Sequence, residues 1–320
     1  MRLEIIDPQT YVREVLPLTS ALWAGERSFD RYVEHTLEIA RSGYGRRHYR
    51  TVGLYDEAEQ LVASFKRYER TIVGAGERLR ATGIGAVYTP PAMRGRGYAS
   101  AMLAMELDRA RNDGVDVAYL FSDIRPQFYQ DIGFVPLSSR SMSLRSDTLG
   151  NTRIEVARLE ETDWTGVARC FELAERQRAW GFVRTPLVWS WIRLRMRQGA
   201  EHPSSVETNL VVRRGRAIAA YVLGARAPQH DAFVLDEYGF ADAEAAALVP
   251  ALLRSAAGDL RRITGWLAPQ FARDTLPRAA VRKRSTALFM AAPLSQAGKG
   301  WVELASAPKS ADGVWSTDHI

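Results

Sequence analysis

The sequence predicts an α/β (α+β) chain of two lobes, each a mixed, mostly antiparallel twisted sheet flanked by helices. Three patterns indicate this fold. An apolar strand runs into a glycine-rich loop and an amphipathic helix over residues 83–112, several strand-like segments precede that unit, and the order of elements starts again after residue 150. The 320 residues suit two domains of ordinary size, so each half can bury its own core.

The first half begins with a strand and with a helix that Asp7-Pro8 caps. A hairpin follows around the turn 56–59, and a long strand then leads to the glycine-rich loop. The helix after the loop ends at Asn112-Asp-Gly114, a common C-terminal signal. Strands are predicted at 3–6, 49–55, 60–73, 78–89, 115–121 and 139–145, and helices at 7–24, 29–40, 98–112 and 126–131.

The polar segment 146–152 is the predicted linker. Beyond it, Arg153-Ile-Glu-Val156 repeats the pattern of Arg2-Leu-Glu-Ile5, which suggests an internal duplication. The expected domains are 1–148 and 149–295, followed by a flexible tail at 296–320. Strands are predicted at 153–156, 208–213, 216–223, 232–239, 263–267 and 286–291, and helices at 161–176, 185–197 and 242–260.

The composition is that of a globular protein, with 46% hydrophobic and 25% charged residues. The net charge of +6 is carried mostly by arginines dispersed along the chain, so we expect no nucleic-acid partner. The densest basic cluster, Arg278–Arg284, is interpreted as a solvated strand edge. The oligomeric state cannot be read from these patterns.

The single cysteine, Cys170, lies in an apolar helical pattern and is expected to be a buried thiol in a reducing cytoplasm. No signal peptide and no membrane-spanning run is recognisable, so we expect a cytoplasmic protein without a membrane partner. The five histidines have no metal-ligand spacing, and no metal is expected.

The segment 83–100 has the features of an anion site. Its strand ends at Pro90-Pro91, and the helix after the loop offers free backbone N–H groups and the positive end of its dipole. Gly95 and Gly97 allow a ligand to approach the backbone, and Arg94 and Arg96 add positive charge. A phosphate-bearing ligand is therefore predicted here.

A dinucleotide fold is one alternative, because Gly95-Arg-Gly-Tyr-Ala-Ser100 approximates the pattern G-x-G-x-x-G. Three features argue against it. The loop follows several antiparallel strands, the connection through Pro90-Pro91 is too long for the tight turn, and Ser100 replaces the third glycine.

The segment Arg94-Gly-Arg-Gly97-Tyr-Ala99 instead resembles Gln/Arg-x-x-Gly-x-Gly/Ala, the signature of the GNAT superfamily of N-acetyltransferases. Phe128-Tyr129-Gln-Asp-Ile-Gly133-Phe134 resembles a second motif of that family, and the resemblance covers most of residues 1–145. It implies two GNAT-like lobes and acetyl-CoA as co-substrate, without a metal. The implied donor-binding residues are Val87, Tyr88 and Thr89 for the thioester arm, and Arg94, Gly95, Arg96, Gly97, Tyr98 and Ala99 for the pyrophosphate.

The resemblance also implies a general acid, Tyr129. The family often places a glutamate on its fourth strand as general base, but residues 81–86 contain none. Asp123 could accept a proton through water or orient the amine. It could equally cap the following helix, and both alternatives stay open.

The second half lacks the loop motif, and Gly239-Phe-Ala-Asp-Ala-Glu244 stands in its place. Asp242 is predicted to cap the following helix. Its carboxylate, with that of Glu244, would repel a diphosphate, so this lobe is expected to be a degenerate GNAT lobe without a donor. The tandem arrangement resembles Eis-type acetyltransferases, and Leu120-Phe-Ser-Asp-Ile124 is similar to fungal lysine N-acetyltransferases. The chain leaves no room for the third domain of Eis-type proteins, so their chain-terminal base is not carried over.

The second lobe is expected to form a wall of the acceptor pocket. Trp180 could supply aromatic surface, and Asp236 and Glu237 could attract a cationic amine. The alternative is that the tryptophan is core and the carboxylates are solvated.

The resemblance thus implies an N-acetyltransferase that transfers the acetyl group of acetyl-CoA to an amine of a small molecule or lysine-like substrate. Direct attack by the amine, with Tyr129 as general acid, is the expected mechanism. The alternative is a non-catalytic acyl-CoA-binding or interaction protein. The acceptor and the general base cannot be identified from these motifs.

Overall fold

A computed structural model describes residues 1–124, 126–150, 152–201, 204–276 and 279–320, with backbone alone at 270 and 271. Three positions discussed above, Asn151 of the predicted linker, His202 and Arg278 of the basic cluster, lie outside the described residues.

The first half follows the predicted order of elements closely. Asp7 caps the first helix by accepting hydrogen bonds from the amides of Gln9 and Thr10. The strands are β1 (Arg2–Ile6), β2 (Tyr49–Tyr55), β3 (Leu61–Gly74), β4 (Glu77–Tyr88), β5 (Val117–Ser122), β6 (Val135–Pro136) and β7 (Arg140–Arg145). The helices are α1 (Pro8–Glu14), α2 (Leu16–Trp23), α3 (Phe29–Arg41), α4 (Gly43–His48), α5 (Tyr98–Asn112) and α6 (Gln127–Gln130).

The second half contains the remaining elements. The strands are β8 (Ala157–Arg158), β9 (Trp180–Phe182), β10 (Val206–Glu207), β11 (Leu210–Arg214), β12 (Ala217–Ala227), β13 (Ala232–Phe240), β14 (Arg262–Trp266), β15 (Ala280–Lys283) and β16 (Leu288–Pro293). The helices are α7 (Trp164–Glu175), α8 (Pro186–Ala200), α9 (Ala243–Ala246), α10 (Val249–Ala257), α11 (Gln270–Arg273) and α12 (Gln296–Ser306).

Two mixed sheets form the centres of two lobes, which confirms the predicted fold class. The first sheet has the strand order β1-β2-β3-β4-β5-β16-β6, and the second has the order β15-β7-β14-β13-β12-β11-β8. Strand β9 pairs with β3, and β10 pairs with β12. Among the described strands, each sheet contains one parallel pair, β4 with β5 and β13 with β14, and its other neighbours are antiparallel. The two sheets therefore repeat one arrangement.

The lobes exchange one strand each. Strand β7 belongs to the first half of the chain but pairs with β14 and β15 in the second sheet. Strand β16 belongs to the second half but pairs with β5 and β6 in the first sheet. The predicted domain boundary at 148 therefore does not separate the sheets, because strand pairing between distant segments leaves no local sequence signal.

The prediction of a flexible tail at 296–320 is wrong, because this segment is folded and packs against the rest of the protein. Helix α12 buries Trp301, Val302 and Ala305, and Trp315 and Asp318 are also buried. Ser295 caps this helix by accepting a hydrogen bond from the amide of Gly298. The small and polar residues that suggested disorder serve as caps and close contacts.

Two other predicted elements differ from the structure. Residues 153–156, where a strand was expected, form none, and the short strand β8 follows them at Ala157–Arg158. The single helix expected at 242–260 is divided into α9 and α10, and Pro250 lies in the first turn of α10. A proline lacks the N–H group that a continuous helix would need at that position.

Helix α5 covers one face of the first sheet through Met102, Leu103 and Leu107, which pack with Ile84 and Leu120. The opposite face is covered by β9, α12 and residues 314–320. That second face is where the two halves of the chain meet.

Candidate active site

A gap opens in the first sheet between β4 and β5. The two parallel strands pair from Ala81 and Val117 to Ile84 and Leu120, and both then continue without pairing to each other. Ala86 has a φ of 47°, and the register between β3 and β4 shifts at this place. A bulge of this kind bends the strand. It leaves backbone groups of β4 open toward the gap.

The loop after β4 leads to an uncapped helix N-terminus. Gly95 and Gly97 have φ values of 75° and 77°, and a Cβ atom added to either would find no atom within 4 Å. Gly97 is the N-cap of α5 and makes no side-chain cap hydrogen bond. The amides of the first helical turn have no intrahelical acceptor, and the dipole adds positive potential. This is the predicted anion site.

The contacts of Arg94 and Thr89 refine the predicted set of donor-binding residues. The amide of Arg94 donates to Pro91 O at 3.3 Å, so it is not free for a ligand. Arg94 Nε donates to Thr89 O at 3.2 Å, which ties the loop to the end of β4. The buried Thr89 Oγ1 has no hydrogen-bond partner among the described residues. A buried hydroxyl without a partner fits a polar ligand that runs along β4.

Tyr129 lies on α6 with only 7% of its surface exposed. Its ring packs against those of Phe128 and Phe134, with centroids 4.9 and 6.0 Å apart. Burial, with a smaller contribution from the negative charge of Asp123, raises the pKa of Tyr129 to about 12. The hydroxyl therefore keeps its proton at neutral pH and can donate it.

Asp123 follows β5 and is exposed. Its Oδ1 accepts a hydrogen bond from the amide of Ala287 at 2.8 Å, just before β16. Helix α6 has Pro126 as N-cap and no side-chain cap, so Asp123 does not cap it. Asp123 joins the end of β5 to the beginning of its neighbouring strand.

Residues 314–320 enter the gap from the second lobe. A Cβ atom added to Gly83 would lie 2.6 Å from Ile320 Cδ1, and one added to Gly85 would lie 3.7 Å from the main-chain carbon and oxygen of Ile320. These glycines on β4 make room for the segment. The sequence motifs gave no signal for this contact, since the residues are more than 230 positions apart.

A buried ionic network holds that segment in position. Arg184 donates to Asp318 and to Glu237 at 3.0 Å each, and Arg70 donates to Asp318 at 3.2 Å. The side chains of all four residues are at most 1% exposed. Glu237 is therefore committed to Arg184 and cannot attract a cationic acceptor, contrary to the prediction.

Trp180 is also unavailable to an acceptor. Its ring stacks on Phe289 with centroids 6.0 Å apart, and its Nε1 donates to Ser310 O at 2.8 Å. It is 3% exposed and belongs to the core, which is the alternative left open in the sequence analysis.

Asp236 lines a pocket of about 220 Å³ between α8, β12, β13 and Ser316. The hydroxyl of Ser316 donates to Asp236 Oδ1 at 2.7 Å. Burial raises the pKa of Asp236 to about 6. With this pKa the carboxylate is still mostly ionised at neutral pH, and it already accepts the hydrogen bond of Ser316.

The corresponding helix N-terminus of the second lobe is closed. Asp242 caps α9 by accepting a hydrogen bond from the amide of Ala245 at 2.8 Å, and Arg214 forms a 2.9 Å ion pair with Asp242. A carboxylate stands where the first lobe has open space. The cap predicted at Asp242 is confirmed.

Among the described residues, no group of three or more histidine, cysteine, aspartate or glutamate side chains comes together as a metal site. No helix in the described part of the chain is long and apolar enough to cross a lipid bilayer.

Comparisons with known proteins agree with this geometry. Residues 9–137 match the family model described as an acetyltransferase (GNAT) domain. No curated protein matches the sequence.

The chain has the fold of several solved structures. A GCN5-related N-acetyltransferase from Anabaena variabilis is 13% identical, with a TM-score of 0.72 over 93% of this chain and 74% of the other. Eis1 from Mycobacterium abscessus is 15% identical, with a TM-score of 0.62 over 92% and 73%. The N-myristoyltransferase of Saccharomyces cerevisiae, solved with bound myristoyl-CoA, is 12% identical, with a TM-score of 0.54 over 91% and 78%.

Proposed function

We propose that this chain, whose residues 9–137 match an acetyltransferase (GNAT) domain, is an acyltransferase that transfers the acetyl group of acetyl-CoA to an amine of a small molecule or lysine-like acceptor. The reaction occurs in the gap of the first lobe. The observation that carries the proposal is the open, uncapped N-terminus of α5 directly beyond the separated ends of β4 and β5.

The residues around the gap fit this co-substrate. The free amides of residues 95–99 would hold the diphosphate, and the charge-assisted hydrogen bonds involved contribute about 1.5–3 kcal/mol each. Backbone groups of Val87, Tyr88 and Thr89 would align the thioester arm along β4. The partnerless hydroxyl of Thr89 would gain a hydrogen bond there.

The chemistry needs a neutral amine, an oriented thioester and a proton for the leaving thiolate. The amine nitrogen attacks the thioester carbonyl carbon, a C–N bond forms, and the C–S bond breaks. Tyr129 gives its proton to the thiolate sulfur. Orientation of the two reactants supplies up to about 7–11 kcal/mol of the barrier reduction. Asp123 acts as a positioning residue beside Tyr129, and water removes the proton of the amine.

The second lobe supplies no second donor site, and residues 314–320 close one side of the gap. A cytoplasmic location accords with the single, buried, free cysteine. The alternative of a non-catalytic acyl-CoA-binding protein keeps the α5 site but gives no role to the proton of Tyr129.

Replacing the proton donor tests the mechanism. In Tyr129→Phe we expect kcat to fall at least ~10-fold, because the thiolate leaves without a proton, while acetyl-CoA affinity is retained. Release of CoA measured with a thiol reagent gives kcat, and calorimetric titration gives the affinity. Tyr55→Phe, at the end of β2, is the matched control. Unchanged turnover in Tyr129→Phe contradicts the mechanism.

A further inference from the structure

Lys66 lies one strand away from the gap, on the face where the lobes meet. Neighbouring residues of β3 face α5, as the ion pair of Arg67 with Glu106 of that helix illustrates. Lys66 therefore faces the opposite side, since side chains alternate along a strand. It is directly opposite Gly85, the first residue of β4 beyond the part paired with β5. Its Nζ is 5.7 Å from the centre of the Tyr11 ring.

Arg195 reaches the same region from α8. Its Nη1 donates to the carbonyl oxygen of His319, and its guanidinium lies 4.8 Å from the centre of the Trp191 ring. The next residue, Ile320, lies against Gly85. Burial and the positive charge of Arg195 lower the pKa of Lys66 to about 8. Both side chains are partly buried, so a ligand can reach them.

Neither cation forms an ion pair with a carboxylate within 4.0 Å among the described residues, and Asp318 and Glu237 are paired with Arg70 and Arg184. Three other arginines of this face are paired. Arg70 and Arg184 have Asp318 and Glu237, and Arg178 has Glu175.

The charge of Asp236 acts on Arg195, but this carboxylate is bound by Ser316 and forms no ion pair within 4.0 Å with either cation. Lys66 and Arg195 are therefore two cations at the gap without a carboxylate in contact among the described residues. Cations removed from water without a counterion are unfavourable, and such groups concentrate at functional sites.

We propose that Lys66 and Arg195 form a subsite for an anionic group of the acceptor, a carboxylate or a phosphate ester carried on the same molecule as the amine. The acceptor amine would then lie at the gap between β4 and β5, and the anionic group of the same molecule would lie between the two cations. The inference rests on the proposed function and specifies its acceptor class. It excludes polycationic acceptors, because Lys66 and Arg195 repel them and Glu237 is already paired.

Matched acceptors with and without the anionic group test the subsite. The pairs are lysine and cadaverine, tyrosine and tyramine, and phosphoethanolamine and ethanolamine, assayed for CoA release and acetylated product. We expect the anionic member of at least one pair to have a kcat/KM about tenfold higher or more, as one charge-assisted hydrogen bond provides. The first two pairs report on a carboxylate, and the third reports on a phosphate.

Variants connect this preference to the two side chains. In Lys66→Gln and Arg195→Gln, we expect the KM of the acceptor with the anionic group to rise about tenfold or more. The kcat/KM of the matched acceptor that lacks this group is unchanged or increases. Lys299→Gln, on the exposed side of α12, is the control and leaves both values unchanged. The melting temperature of Lys66→Gln stays the same or rises, because the variant loses an unpaired buried charge.

The outcomes separate the two proposals. Equal or better use of the acceptors without the anionic group overturns the subsite and leaves the N-acetyltransferase standing. A marked drop in the melting temperature of Lys66→Gln also overturns it, since Lys66 would then have a structural role. Failure to acetylate any acceptor, with acetyl-CoA still bound, overturns the proposed function and the inference that rests on it.

Discussion

The hydroxyl of Tyr129 owes its properties to the rings around it. Phe128 and Phe134 remove water from one side, so the charged phenolate is disfavoured and the pKa rises to about 12. A raised pKa means that the proton-donating form persists through the alkaline range and is lost only as the pH approaches that value.

The raised pKa of Tyr129 predicts how kcat depends on pH. At saturating acceptor, kcat should rise as the acceptor amine loses its proton and then stay level to about pH 10.5, with no falling limb from Tyr129. Initial rates of CoA release between pH 6.5 and 10.5, corrected for thioester hydrolysis without enzyme, give this profile. A decline centred near pH 10, the ordinary value for tyrosine, would argue against a buried tyrosine acid.

The network around Arg184 joins separate elements. It connects β3, the segment between β9 and α8, β13 and residues 314–320 through Arg70, Arg184, Glu237 and Asp318. The guanidinium of Arg184 also lies 3.9 Å from the centre of the Phe171 ring on α7. Because these elements come from both halves of the chain, the network fixes the lobes and the side of the gap together.

Replacing Arg184, the central cation of this network, should therefore destabilise the whole protein. Arg184→Leu leaves Glu237 and Asp318 buried without their counterion, and we expect the free energy of unfolding to fall by about 3–5 kcal/mol. Urea denaturation followed by tryptophan fluorescence measures the change. The control is Arg214→Leu, which breaks a pair that is about half exposed and should cost no more than about 1 kcal/mol. A similar small loss in both variants would mean that the network does not hold the lobes.

The protein uses one sheet arrangement twice and has the open, uncapped helix N-terminus at the glycine-rich loop in the first copy. Local patterns in the sequence were sufficient for the parts that depend on neighbours along the chain. The helix predicted at 98–112 is α5, Asp7 and Asp242 are caps, and the glycine-rich loop is open.

The predictions that were wrong concern features that depend on contacts between residues distant in the sequence. Nothing near β7 or β16 indicates that each pairs in the other half's sheet. The partners of Glu237 and Trp180 lie far away in the sequence, so their burial could not be read from it. The contact of Ile320 with the glycines of β4 is of the same kind.

The central claim is that acetyl-CoA binds once per chain, at the N-terminus of α5. Calorimetric titration of three proteins tests it: the wild type, Gly97→Glu and Ala243→Glu. Glutamate at 97 puts a negative charge and a side chain into the open cradle, whereas Ala243 is the exposed first residue of α9 in the second lobe.

We predict one bound acetyl-CoA per chain in the wild type and in Ala243→Glu, and none in Gly97→Glu, with circular dichroism verifying that all three proteins are folded. Two bound molecules per wild-type chain, or full binding by folded Gly97→Glu, would contradict the account.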